Sequence, residues 1–196
     1  MRLTPAEVED LVVNASRGDR AAWESLVDEY VGLIWAIARG HRLSDGDAHD
    51  VTQTTWLRLI ENIDRLSDPA RVGAWLATTA RRECLRVLRQ SKRTVLLDEW
   101  DSLEDIEADG KDVHSELLRM EASTAVRDAI GQLSQSAQAL LRLLMLDPPP
   151  SYEEISAALN MPIGSIGPTR GRCLRKLQVL VTERGITGPR RSVSSE

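Results

Sequence analysis

The sequence predicts an all-α protein. Two capping boxes, Thr4 with Glu7 and Ser151 with Glu154, each stand directly before a run of apolar residues at helical spacing. Further runs follow Asp19, Ser44 and Ser134, residue types that accept hydrogen bonds from free helix N–H groups. No segment alternates apolar and polar residues in the manner of a half-buried strand.

The elements follow in order. Thr4-Pro5 with Glu7 supplies a cap, a first-turn proline and a capping-box acid for a helix ending near Gly18. Asp19 opens a long second helix in which Trp23, Leu26, Tyr30, Leu33, Ile34 and Ile37 form one buried face. Ser44 with Asp47 opens a third helix reaching Leu66, and Asp68-Pro69 a fourth running toward Arg93. Helices are then expected from about His114 to Gln132 and from Ser134 to Leu146.

Ser151 to Leu177, SYEEISAALNMPIGSIGPTRGRCLRKL, reads as a helix-turn-helix. Tyr152, Ile155 and Leu159 define the buried face of its first helix. Asn160 tolerates a left-handed helix end, and Met161-Pro162 blocks continuation. With Ser165 as N-cap, Pro168 becomes the third helical residue, where its missing N–H removes no internal bond. Ile166, Cys173, Leu174, Leu177 and Val181 share one stripe of the second helix, and Arg172, Arg175 and Lys176 the other. Such a helix enters the DNA major groove, where Arg and Lys bind phosphates or the acceptor edge of guanine.

Composition narrows the class. A chain of 196 residues allows one domain or two small ones. No apolar run approaches a membrane span, and MRLTPAEVED lacks the parts of a signal peptide, so a cytoplasmic protein is expected. Cys84 and Cys173 belong to no CxxC or Cys/His cluster and read as buried, reduced thiols. His41, His49 and His114 show no metal-ligand spacing. With no phosphate loop and no nucleophile elbow, neither a cofactor, a metal nor a catalytic activity is expected.

The net charge of −5 is distributed unevenly. Residues 65–93 carry eight Arg/Lys against two Asp/Glu, net +6, and residues 165–191 seven against one, again +6. Between them residues 98–112 carry eight acids and one lysine, net −7. Blocks of like charge stay solvated, so the acidic stretch reads as a linker over 94–112 between domains at 1–93 and 113–185, with a tail at 186–196. The same layout makes the linker an electrostatic competitor for the two basic segments. An acidic surface loop in one continuous bundle is the other organisation these counts allow.

Two helix faces are left unexplained by packing. In the third helix Val51, Thr55, Trp56, Leu59, Ile60 and Ile63 form the inward arc. Asp47, Asp50, Arg58 and Glu61 face outward, Leu57 lands among them, and Gln53 sits at the margin. Leucine among charges suits a protein-docking patch, where burial supplies affinity and charge supplies register. In the fourth helix Arg82, Arg86, Arg89 and Arg93 recur at four, three and four residues, with Trp75 pointing the same way. Like charges at that spacing repel, and an anionic partner removes the conflict. Arginines beside an aromatic ring are a combination used to hold single-stranded nucleic acid.

These segments carry a family resemblance. DAHDVTQTTWLRLIENI (47–63) followed by DPARVGAWLATTARRECLRVLR (68–89) resembles the second region of bacterial sigma factors, and the helix-turn-helix resembles their fourth. Order, spacing and linker resemble the extracytoplasmic-function (ECF) group of the sigma-70 family, particularly its actinobacterial members. The resemblance implies a protein that binds core RNA polymerase, directs it to a promoter and helps open the duplex. Asp47, Asp50, Gln53, Leu57 and Arg58 then fall where the family docks on the clamp coiled coil of polymerase. Arg71, Trp75, Arg81, Arg82, Arg86, Arg89 and Arg93, with the loop 66–73, fall at the minus-10 contact. Ser165, Thr169, Arg170, Arg172, Arg175 and Lys176 fall at the minus-35 contact, in a domain that also packs on the polymerase flap. An anti-sigma factor is a further implied partner, and no membrane is. Gly167-Pro168 departs from the family, whose members often carry Lys and Ser there. A stand-alone helix-turn-helix regulator and a helical interaction adaptor are the competing classes.

Overall fold

The computed structural model describes residues 2–94 and 126–183, with side chains of the first segment described through Gln90. The acidic linker from residue 95, the start of the helix expected at His114, the Arg93 side chain and the tail lie outside these residues. Every described element is helical: α1 (Pro5–Ser16), α2 (Arg20–Gly40), α3 (Asp45–Asn62), α4 (Val72–Thr94), α5 (126–131), α6 (Gln135–Leu144), α7 (Tyr152–Leu159) and α8 (Ile163–Glu183). Two single 3₁₀ turns, Ile63–Arg65 and Pro69–Arg71, join α3 to α4. The third helix therefore ends before Leu66 as an α-helix, and tightens into the 3₁₀ form common at helix ends.

The expected caps form. Thr4 Oγ1 accepts from Glu7 N at 3.3 Å while Glu7 Oε2 accepts from Thr4 N at 2.7 Å. Those bonds hold the Glu7 carboxyl below its ordinary range, backbone bond first and hydroxyl second. Asp19 Oδ1 takes the N–H groups of Ala21 and Ala22 at 2.9 and 3.2 Å. Before it, Gly18 sits at φ +89, a left-handed turn that favours glycine.

α2 is the central helix, burying Leu26, Tyr30, Leu33, Ile34 and Ile37 against α1, α3, α4 and α6. Trp23 and Trp56 tie α2 to α3 edge to face, with ring centres 6.0 Å apart. Leu59 and Leu76 from the first half and Leu140, Leu143, Ile155 and Ile166 from the second are fully buried in one continuous cluster. Each such side chain contributes about 1.5–3 kcal/mol when taken from water.

The C-terminal helices pack on the N-terminal ones chiefly through α7 on α4 and α6 on α2. Glu154, the capping-box acid of α7, is buried there: it accepts from Ser151 N at 2.7 Å and also pairs with Arg2. Tyr30 lies beside it, and burial followed by the charges of Glu154 and Glu29 raises the phenol well above its ordinary range. The backbone of Gly73 comes so close that a Cβ there would overlap Glu154 Oε1 and stand 2.7 Å from Tyr30 Cε1. Gly73→Ala is therefore expected to loosen the packing of α7 on α4 and lower stability by about 1–3 kcal/mol. Small-angle scattering and thermal melting check this; an unchanged radius of gyration and melting temperature would show that the two helices do not meet this closely in solution.

Candidate polymerase and nucleic-acid surfaces

The outer face of α3 is an apolar strip between charges. Ser44 Oγ caps the helix by accepting from Asp47 N at 3.1 Å and donates to Asp47 Oδ2 at 2.8 Å, so Asp47 is half-buried in the cap. Asp50, Gln53, Leu57 and Arg58 are exposed, Leu57 at 52%. Arg58 pairs with Glu61 at 3.1 Å and reaches Glu83 of α4 at 3.9 Å.

Ile60 corrects the expected inward arc: it is 56% exposed. The buried centre of α3 runs through Ala48, Val51, Thr55 and Leu59, and Ile60 turns away from it beside Leu57. At about 100° per residue, Gln53, Leu57 and Ile60 lie within about 60° of one another. Ile60 thus joins the strip that sequence reasoning built on Leu57 alone. The three-residue spacing was the available signal, and assigning the residue to the core concealed it.

The second surface is a polar cavity of about 610 Å³ at the start of α4. The loop contributes Leu66, Asp68 and Arg71, and α4 contributes Trp75, Thr78 and Arg82. Trp75 is half-buried, with part of its ring packed against the core and part forming cavity wall. Val72 is fully buried. Arg71 bridges Asp68 at 3.3 Å and Glu153 of α7 at 3.3 Å. Further along, Arg86 pairs with Glu83 at 2.6 Å, Arg89 Nε donates to the Leu85 carbonyl at 3.1 Å, and Arg82 is exposed without an ion pair among the described residues.

Arg71, Trp75 and Arg82 are therefore brought together, with Arg86 and Arg89 continuing the stripe along α4. Arg81 is placed elsewhere. One residue round the helix from Arg82, it faces a different cavity between α2, α4 and α6, and its Nε is buried.

The third surface is the helix-turn-helix. Ser151 caps α7, accepting from Glu154 N at 3.2 Å, and Asn160 ends it in the left-handed conformation at φ 52. Arg170, Arg172, Arg175 and Lys176 are exposed along α8. Arg172 donates to Thr169 Oγ1 at 3.0 Å, which makes Thr169 a support for that guanidinium.

Three expectations for this unit change. α8 begins at Ile163, so Ser165 lies inside its first turn, donating to the Pro162 carbonyl at 2.7 Å, and does not cap the helix. Pro168 is then an interior residue whose missing N–H leaves the Gly164 carbonyl without its helical partner. Tyr152 and Leu174 are exposed rather than buried. In α7 the inward positions are Glu154, Ile155 and Ala158, because Glu154 turns toward Arg2 and Gly73. In α8 Ile166 and Cys173 are buried, with Leu177 and Leu180 packed beside them, leaving Leu174 outside. Pro168→Ala is expected to stabilise α8 by up to about 3 kcal/mol, read as a higher melting temperature; a lower one would mean that the proline is needed where it stands.

Cys84 is buried in α4, and burial pushes its thiol up to about 12, an inert structural group. Among the described residues no group of His, Cys, Asp or Glu is arranged to hold a metal, and no helix is long and apolar enough to cross a membrane.

Residues 26–94 match the family described as Sigma-70 region 2, covering α3, the loop and α4. The chain is similar over most of its length to ECF RNA polymerase sigma factor SigL of Mycobacterium tuberculosis, 26% identical over 184 residues, with 90% of this chain and 98% of that protein covered. It is 28% identical over 177 residues to ECF RNA polymerase sigma factor SigC of the same species, covering 88% and 89%. Two solved structures share the fold. CnrH, in complex with the cytosolic domain of CnrY, superposes at TM-score 0.58 and 20% identity, over 90% of this chain and 98% of that one. Sigma factor RpoE, in complex with the anti-sigma factor NepR from Bartonella quintana, gives the same score and identity over 82% and 96%. The chain thus carries a segment matching Sigma-70 region 2 and is similar over most of its length to ECF sigma factors.

Proposed function

We propose that this chain is an ECF sigma factor that joins core RNA polymerase through the outer strip of α3 and carries it to promoters whose minus-10 and minus-35 elements meet α4 and α8. The single observation that carries this reading is the placement of Arg71, Trp75 and Arg82 around one polar cavity at the head of an arginine-lined helix. An aromatic wall between two guanidiniums, of which Arg82 makes no ion pair among the described residues, suits an unstacked base with its flanking phosphates. At the other end Arg170, Arg172, Arg175 and Lys176 offer the minus-35 contacts, while Gly167-Pro168, in the second turn of α8, brings no side-chain reader, so DNA shape and backbone contacts carry more of the recognition.

The two parts act as separate domains, region 2 and region 4, joined by the acidic linker. The packed arrangement is then the resting form. In it Arg71 is held by Glu153 of α7, and promoter engagement exchanges that carboxylate for phosphate. The protein works in the cytoplasm, and an anti-sigma factor acts by holding the packed form. No catalytic step is assigned to the chain.

The test separates a sigma factor from a stand-alone regulator. With core polymerase present, the chain is expected to protect a promoter fragment over both elements, and alone to bind it no better than random DNA. Specific protection by the chain alone would overturn the reading. Within the holoenzyme Arg172→Ala is expected to reduce minus-35-dependent transcription by about tenfold, the scale of a lost base or phosphate contact, and more than Gly167→Ala does. The reverse order would show that the reading surface lies elsewhere on α8.

A further inference from the structure

A second cavity, about 600 Å³ in volume, lies between α2, α4, α6 and α7, apart from the α3 strip, the cavity at the start of α4 and the exposed arginines of α8. Ile37, Leu85 and Leu88 line it from the first half of the chain, and Leu143, Ala158 and Leu159 from the second. Its size falls within the range of small-molecule sites, which are mostly apolar with a few placed polar groups. Here the placed group is Arg81. Its Nε is buried and has no hydrogen-bond partner, and the residue makes no ion pair among the described residues. A buried N–H left unsatisfied costs free energy, and native proteins rarely leave one so without a reason.

His41 stands in the same wall, with burial and then the charge of Arg81 holding its imidazole below the ordinary range. At neutral pH it is uncharged, and Arg81 is the only charged side chain lining the cavity among the described residues.

We propose that this cavity binds a small amphiphilic acid, one apolar chain ending in a single carboxylate, with the carboxylate on the Arg81 guanidinium. The fork of a guanidinium matches a carboxylate through two parallel N–H donors, which a neutral headgroup cannot reproduce. The apolar chain then lies between the leucines of the two halves. Because both halves line the site, a bound acid stabilises the packed form over a separated one by mass action.

The experiment uses the full chain and titration calorimetry with three probes below their micelle concentrations: dodecanoate, dodecanol and dodecyltrimethylammonium. Dodecanoate is expected to bind saturably at one site and raise the melting temperature, with dodecanol about tenfold weaker and the cation weaker still, since a charge-assisted pair is lost. Arg81→Gln is expected to bring dodecanoate down to the affinity of dodecanol. Arg81→Lys, which keeps the charge and loses the fork, is expected to fall between. Ala139→Leu, which fills the wall of the cavity, is expected to weaken both probes. Equal affinity for all three probes, absence of saturable binding, or full dodecanoate affinity in Arg81→Gln would each overturn the proposal. The comparison of probes on the unaltered chain stands even if a variant fails to fold, and none of these readings depends on transcription.

Discussion

Leu57→Asp is expected to abolish co-purification of the chain with core RNA polymerase while leaving its helical content unchanged. The residue is half-exposed in the free chain, so the substitution costs the fold little. In a docked complex the same side chain and its neighbour Ile60 become buried, each contributing about 1.5–3 kcal/mol. An aspartate there forfeits that burial and places an unpaired charge in the interface, a loss of about 3–5 kcal/mol or more than about 100-fold in affinity. Ile60→Asp should act in the same direction, whereas His49→Ala, on the same helix, should change little. Affinity retained in Leu57→Asp would move the docking face off this strip.

Reversing charge on α4 is expected to have the second largest effect. Arg82→Glu with Arg86→Glu should reduce open-complex formation at the promoter by about 100-fold or more at moderate salt, and flatten the dependence on log salt by about two units, since about one counterion is released per phosphate contact. Arg86 is already paired with Glu83, so its replacement also sets two carboxylates together, and Arg82→Glu alone is the cleaner probe. Core binding should survive in both variants. Permanganate reactivity of unpaired thymines reads opening directly, and undiminished reactivity in the double variant would remove α4 from the melting step.

Helix positions were legible because their ends carry short-range chemistry. Thr4, Asp19, Ser44, Ser134 and Ser151 each accept backbone N–H groups as their sequence neighbours imply. What could not be read was tertiary choice. A helical wheel spreads apolar residues over an arc wider than any one neighbour covers, so Ile60, Tyr152 and Leu174 were placed inside while packing left them out. Glu154 reads from the sequence as a capping-box acid and no more, yet it is buried because Arg2, 152 positions away, supplies its charge partner and Gly73 leaves it room.

The candidate sites divide along the same line. Exposed charge at helical spacing foretold Arg82, Arg86 and Arg89 on α4 and Arg170, Arg172, Arg175 and Lys176 on α8. Arg81, adjacent in sequence to the stripe, turns to another cavity because 100° of helix separates it from Arg82. Pro168 shows how one boundary changes the physics. Three residues' difference in where α8 starts turns a harmless first-turn proline into one that breaks an internal hydrogen bond.

The central claim, that the chain gives core polymerase its promoter specificity, is tested most directly by run-off transcription from a library of genomic fragments with core polymerase in the presence and absence of the chain. Defined transcripts that appear only with the chain, start a fixed distance from a shared pair of sequence elements and vanish with Leu57→Asp are the expected result. A transcript pattern identical with and without the chain would contradict it.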